Sequence, residues 1–160
     1  MKWFPLSKGG SFRKWFGNNE YVINYWNDGY DIKKYKKDKL DLGLIEKKNS
    51  QCWNEVHYFK EGLTYSRISS SNFSVRYNYY GHIFDTAAPM LFVDEDIRFY
   101  IMAFLNSNQS KELNKILSPT LTFQSGDIQK LPILIIYDED KKSEIKHVVK
   151  TNIKISKLIS

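Results

Sequence analysis

Polar and apolar positions change rhythm along this 160-residue chain, and the changes mark its elements. The first sixty residues are irregular. YVINYW (21–26) is a short β-prone run closed by the turn signal Asn27-Asp28-Gly29. DIKKYKKDKL (31–40) holds five lysines with little apolar periodicity, which leaves a solvated helix and a loop both open. From Gly62 strict alternation begins. LTYSRIS (63–69) and FSVRYN (73–78) read as strands joined by a Ser-Ser-Ser-Asn link. YYGHIFDTAAPMLFV then turns at Tyr80-Gly81 and continues as an apolar segment interrupted by Pro89, so three strands of one sheet are predicted. DEDIRFYIMAFLNS (94–107) opens with acids that suit a helix N-terminus and is apolar on nearly every side, as in a buried helix. SKELNKIL (110–117) predicts a shorter helix, capped by Ser110 and stopped by Pro119. Residues 120–136 predict a strand, a turn at Ser125-Gly126, one short helical turn and a final strand opened at Pro132. Ile145, Val148, Val149, Ile153 and Ile155 recur near helical spacing and predict an amphipathic C-terminal helix. The expected class is therefore mixed α/β (α+β), in one domain with packed helices.

Composition alters that picture in one respect. Aromatic residues make up 16% of the chain and net charge is +6, and both are unevenly placed. Residues 1–80 hold 14 Lys and Arg against 8 Asp and Glu, whereas residues 81–160 hold 10 of each. The same first half holds 18 of the 25 aromatic rings. A basic half interleaved with rings is the composition that binds phosphate backbones and bases. A single cysteine, Cys52, excludes an intrachain disulfide and a thiolate metal site, which agrees with a reducing, cytoplasmic setting. No apolar run is long enough to span a membrane, and no signal peptide is evident.

The stretch KGGSFRKWFGNN (8–19) concentrates that chemistry. Two adjacent glycines forfeit backbone entropy unless the chain turns sharply or approaches something closely. Lys8, Arg13 and Lys14 would neutralise phosphates, Gly9 and Gly10 would let the backbone come close to DNA, and Trp15 would either stack at the interface or, the favoured alternative, pin the loop to the core. The usual signatures of catalysis are missing. There is no Walker-type phosphate loop, no Gly-x-Gly-x-x-Gly, no His-Glu-x-x-His pair and no Gly-x-Ser-x-Gly elbow. The Asp94–Asp96 acids read as a helix start, not a metal site, and no metal is expected.

Several strings carry a resemblance. KGGSFRKWFGNNEYVINYWNDG, GLTYSRISSSNFSVRY, FLNSNQSKELNKILSPTLTFQSGDIQKLPI and NIKISK are similar, in the same order, to one region of large adenine-specific DNA methyltransferases. These are the PglX-type enzymes of the BREX phage-defence group and related type IIG restriction-modification enzymes. The second half also resembles type I restriction specificity subunits, in which two short helices precede a Gln…Leu-Pro-Ile segment, here Gln124 and Leu131-Pro132-Ile133. The families' Asn-Pro-Pro-Tyr motif and methyl-donor pocket are absent. The resemblance therefore implies a target recognition domain over residues 1–140, with a curved mixed sheet, and the start of a docking helix over 141–160. It implies a non-catalytic DNA-binding module, with double-stranded DNA and the methyltransferase catalytic domain or other subunits of a restriction or defence complex as partners. S-adenosylmethionine would bind that catalytic domain, and no cofactor is expected in this stretch.

Reading a sequence requires side chains that reach base edges, where Arg pairs with guanine and Asn or Gln with adenine. The candidates are Arg67, Ser69, Ser70, Ser71, Asn72, Arg76 and Tyr77, between and along two predicted strands, with Thr122 and Gln124 after them. Two other functions fit the composition. A small basic nuclease would use His57 or His82 with a Tyr or Arg. A protein-interaction module would use the aromatic surface and would bind independently of salt.

Overall fold

The computed structural model describes residues 2–69, 72–117 and 120–160. It has the mixed α/β class expected, but two small sheets replace the single one. Strand β1 (Trp3–Ser7) pairs antiparallel with β2 (Tyr21–Asn24), and Leu6 and Ser7 pair parallel with β5 (Ile83–Phe84). The second sheet centres on β3 (Gly62–Tyr65), flanked antiparallel by β4 (Val75–Asn78) and by β6 (Met90–Leu91). The segment after Tyr80 thus divides between the sheets. Pro89, which has no amide hydrogen for a ladder, sits where it leaves one and enters the other.

The lysine block is helical. Helix α1 (Trp26–Asp41) begins irregularly, because Asn27, Asp28 and Gly29 are all left-handed, with φ of 50, 56 and 72°. The predicted turn and the predicted helix are therefore consecutive. Two 3-10 turns, Lys47–Asn49 and Glu55–His57, lead into β3. Helix α2 (Glu95–Leu105) follows β6 with Glu95 and Asp96 in its first turn, where acids favour the positive end of the helix dipole. Helix α3 (Asn108–Leu117) starts earlier than predicted. Ser107 Oγ accepts from the Ser110 amide at 3.2 Å, so Ser107 does the capping and Ser110 lies buried inside the helix. The predicted stop at Pro119 lies outside the described residues. Beyond it only an isolated bridge between Ile68 and Thr122, the short α4 (Ser125–Ile128) and helix α5 (Glu139–Leu158) form. Residues 132–137 run without a ladder, so the final strand is not made. No described helix is long and apolar enough to cross a membrane.

The core lies on one face of the β3 sheet. Leu63, Tyr65, Val75 and Tyr77 pack there with Phe99, Met102 and Leu105 of α2 and with Val149 and Ile153 of α5. Alternation sends the intervening residues to the opposite face, where Thr64, Arg76 and Asn78 are buried as well. That face is covered by β1 and the loop that follows it. Its contacts are polar: Ser7 Oγ donates to Asn78 Oδ1, and Thr64 Oγ1 donates to the Pro89 carbonyl at 3.1 Å. The β3 sheet therefore has an apolar side toward the helices and a hydrogen-bonded side toward the loop at 8–19.

Candidate nucleic-acid interface

Three stretches far apart in sequence meet beyond the end of β3. The Gly10 amide donates to Ser66 Oγ at 3.1 Å, and that hydroxyl lies 3.2 Å from the Gly10 carbonyl, to which it can donate. The Arg67 amide donates to the Ala87 carbonyl at 3.0 Å, and the Arg67 carbonyl accepts from the Phe123 amide at 2.7 Å. The Ser69 amide donates to the Leu121 carbonyl at 3.0 Å. The Ser66 hydroxyl and these main-chain bonds thus bring Lys8–Gly10, Arg67–Ser69 and Thr122–Gln124 to one rim. Arg67 and Gln124 are exposed there, Lys8 and Thr122 are half-buried, and Ser69 is buried. Lys8 Nζ lies 5.2 Å from the Tyr21 ring centroid, a cation–π arrangement that leaves the ammonium at the surface. Asn72 is half-buried, and Ser70 and Ser71 lie outside the described residues.

The adjacent glycines have an internal reason. A Cβ on Gly9 would stand 2.5 Å from the Ala87 carbonyl oxygen, and one on Gly10 would stand 3.0 Å from Asn18 Nδ2. The close approach they permit is to the chain itself, not to an external backbone as expected. Gly10 also spends its amide on Ser66.

Two candidates turn inward. Arg76 is 1% exposed, the consequence of its place on the covered face of β4. Its guanidinium donates to Ser66 Oγ at 3.1 Å and to the Lys8 carbonyl at 3.4 Å, while Nε has no partner. Burial pushes its pKa down to about 10. Tyr77 faces the helices, stacks on Phe99 at 5.6 Å and donates to Glu61 Oε2 at 2.7 Å. Neither presents a donor to a base edge, which corrects the expectation for both. Arg76 instead forms the underside of the rim. Glu61 is also paired with Arg98, and the Tyr77 and Arg98 hydrogen bonds hold its carboxyl below the ordinary range.

Arg13 and Lys14 lie on a different part of the loop. Lys14 Nζ donates at 2.7 Å to the carbonyl of Asn106, just past α2, where a cation meets the negative end of the helix. Arg13 packs against Gly17 and reaches Ser160 Oγ at 3.4 Å. Of the two roles open to it, Trp15 takes the one at the core. Its amide donates to the Val75 carbonyl at 3.0 Å, its carbonyl accepts from the Tyr77 amide at 2.8 Å, and its ring packs on the core.

Beside the rim opens a cleft of about 800 Å³. Arg67, Gln124 and Ser125 line it together with Phe84, Asp85 and residues from the 51–58 segment. That segment is braced against the β1 sheet and α1. Lys36 Nζ donates to the Gln51 carbonyl at 2.7 Å, Lys33 pairs with Glu55 at 2.8 Å, and Tyr25 donates to Glu55 at 2.6 Å. Burial and that bond raise the Tyr25 pKa, and the carboxylates hold Lys33 at about 12. Only His57 of this wall is singled out from the sequence, although QCWNEVHY packs Trp, His and Tyr beside Gln and Asn in eight residues.

The histidines occupy separate surroundings. His57 stacks on Phe92 at 4.8 Å in the cleft. His82 Nδ1 sits 3.2 Å from Ser7 Oγ, and burial lowers its pKa. Among the described residues no cluster of three or more His, Cys, Asp or Glu could hold a metal ion.

No family model matches the chain. It is 36% identical over 159 residues, or 98% of its length, to the adenine-specific methyltransferase BrxX of Escherichia coli O9:H4 (strain HS). Over 132 residues it is 42% identical to the adenine-specific methyltransferase PglX of Lacticaseibacillus casei (strain Zhang), with 82% of the chain covered. The chain spans 12% of the first protein's length and 11% of the second's. It is thus homologous to one segment of these adenine-specific methyltransferases.

Proposed function

We propose that this chain is the module that reads double-stranded DNA for an adenine-N6 DNA methyltransferase of a phage-defence or restriction-modification system, and that it does no chemistry itself. The methyl donor, S-adenosylmethionine, would bind elsewhere in the longer enzyme. The observation that carries the reading is the rim. Lys8, Arg67 and Gln124, separated by more than a hundred positions between the first and last, are brought together by the bonds of Gly10 to the Ser66 hydroxyl and of the Phe123 amide to the Arg67 carbonyl. Lys8 supplies charge for a phosphate, Arg67 has the donor fork that matches a guanine edge, and Gln124 has the amide that matches an adenine edge. Thr122 and Asn72 flank them as further polar contacts, with Ser70 and Ser71 as candidates between Asn72 and Ser69, which is buried and ties the link to Leu121 through its amide. Arg13 and Lys14 act as structural cations with a secondary share in the positive field. Apolar side chains exposed at Leu134, Tyr137, Ile155 and Leu158 support docking to the catalytic part of the enzyme or to another subunit of its complex.

Fluorescence anisotropy with a labelled random duplex at two salt concentrations tests this. Binding should weaken steeply with salt, and the Lys8→Ala/Arg67→Ala variant should bind less and lose about 1 from the slope of log K against log salt, the share of the Lys8 phosphate contact. Absence of binding at low salt, or an unchanged slope in the variant, overturns the reading.

A further inference from the structure

We infer that the cleft beside the rim is a binding site for a single unstacked nucleobase. The inference rests on the proposed DNA reading only for the source of that base. The cleft's volume, about 800 Å³, is in the range of small-ligand sites and exceeds what one nucleotide needs. Its wall carries an aromatic blade: Trp53 lines the cleft and stays 58% exposed, yet its indole Nε1–H donates to the Lys48 carbonyl at 3.0 Å. An exposed tryptophan whose polar tip is already bonded offers a fixed, flat face for stacking. His57 on the same wall is backed by Phe92, so a second ring is also held in place.

The polar groups in the cleft suit a neutral heterocycle. Gln51, Asn54 and Gln124 in its lining carry primary amides, which donate and accept in the pattern of a base edge. Fixed charge is sparse and mixed. Asp85 already accepts from the Ala87 amide at 2.8 Å, and Lys36 is occupied by the Gln51 carbonyl. Arg67 belongs both to the cleft and to the rim, so a strand held at the rim would have one base within reach of Trp53. Unpairing a base costs a few kcal/mol, least where it is mismatched or already unpaired, so occupancy should favour such sites.

The experiment uses 2-aminopurine as the probe base. Two otherwise identical duplexes carry it opposite thymine or opposite an abasic position, and affinities are compared for the wild type, Trp53→Ala and Trp53→Phe. The unpaired probe should bind about tenfold tighter than the paired one. Trp53→Ala should abolish that preference and leave paired-duplex affinity within about twofold, and Trp53→Phe should retain most of it. Equal affinity for both duplexes, or a preference that survives in folded Trp53→Ala, overturns the inference. Should neither duplex bind, the DNA reading fails and free 2-aminopurine nucleotide decides the cleft. Quenching of its fluorescence that is lost in Trp53→Ala sustains the site, and no quenching eliminates it.

Discussion

The side-chain amide of Asn106 pairs with the main chain of Val75 at both ends. Oδ1 accepts from the Val75 amide at 3.0 Å and Nδ2 donates to the Val75 carbonyl at 2.9 Å. Asn106 is the residue after α2, and Val75 opens the edge strand β4, so one side chain completes a strand edge that has no further strand beside it. The same Val75 carbonyl accepts from Trp15, and Lys14 holds the Asn106 carbonyl. Asn106 thereby couples the loop, the sheet and the helix.

Asn106→Ala would leave a buried amide hydrogen without a partner, so it should cost about 2–3 kcal/mol in urea unfolding. Asn106→Asp keeps the acceptor but sets a buried carboxylate oxygen against the Val75 carbonyl, and should cost at least as much. A loss below about 0.5 kcal/mol for the alanine variant would mean that the edge is satisfied some other way.

Arg76 makes the opposite kind of prediction. A buried guanidinium bonded only to a hydroxyl and a carbonyl gains little against the cost of its desolvation. Its folded pKa lies below the unfolded value, so at neutral pH the bound proton disfavours folding, and stability would be recovered only as pH rises past about 10. Arg76→Met, similar in length and uncharged, should therefore melt no lower than the wild type. Arg76→Ala leaves a cavity and should lose about 3 kcal/mol. Calorimetry on both separates the terms, and a methionine variant weaker by more than about 2 kcal/mol would show that the hydrogen bonds outweigh the buried charge.

His82 sets a pH limit. Burial lowers its folded pKa, so the unfolded chain takes up the proton more readily. Its contribution is present above the ordinary histidine range and is lost as pH falls through that range toward the depressed folded value. Urea midpoints measured from about pH 8 to pH 5 should decline for the wild type and decline less for His82→Gln, with at most about 1.4 kcal/mol per pH unit between them. Parallel curves for the two proteins would remove His82 from the account.

The helices were legible because their patterns are long. Asp94 to Ser107 and the tail after Lys141 each present several turns of consistent periodicity, and both form. The sheet division was not legible. Ile83-Phe84 and Met90-Leu91 are two-residue strands, and no local pattern says which partner each will find. Alternation in 63–78 identified the strands but not that both their faces are buried, with Thr64, Arg76 and Asn78 enclosed on the side of β1 and the loop that follows it. That loop was read as facing outward because it is basic and glycine-rich. Its lysines and arginine can do so only in part, since Lys14 and the glycines serve contacts within the chain. Lys8, Arg67 and Gln124 could be proposed singly from residue type, but their convergence depends on bonds to Ser66, Ala87 and Phe123 that leave no trace in spacing.

Those bonds have an evolutionary consequence. At the rim Arg67 is held through its amide and carbonyl, groups that every residue except proline possesses in full. The scaffold is therefore largely blind to which side chain position 67 displays. Under the proposed reading, lineages of this module could exchange the residue there, and with it the preferred target, by point substitution and without rebuilding the architecture beneath.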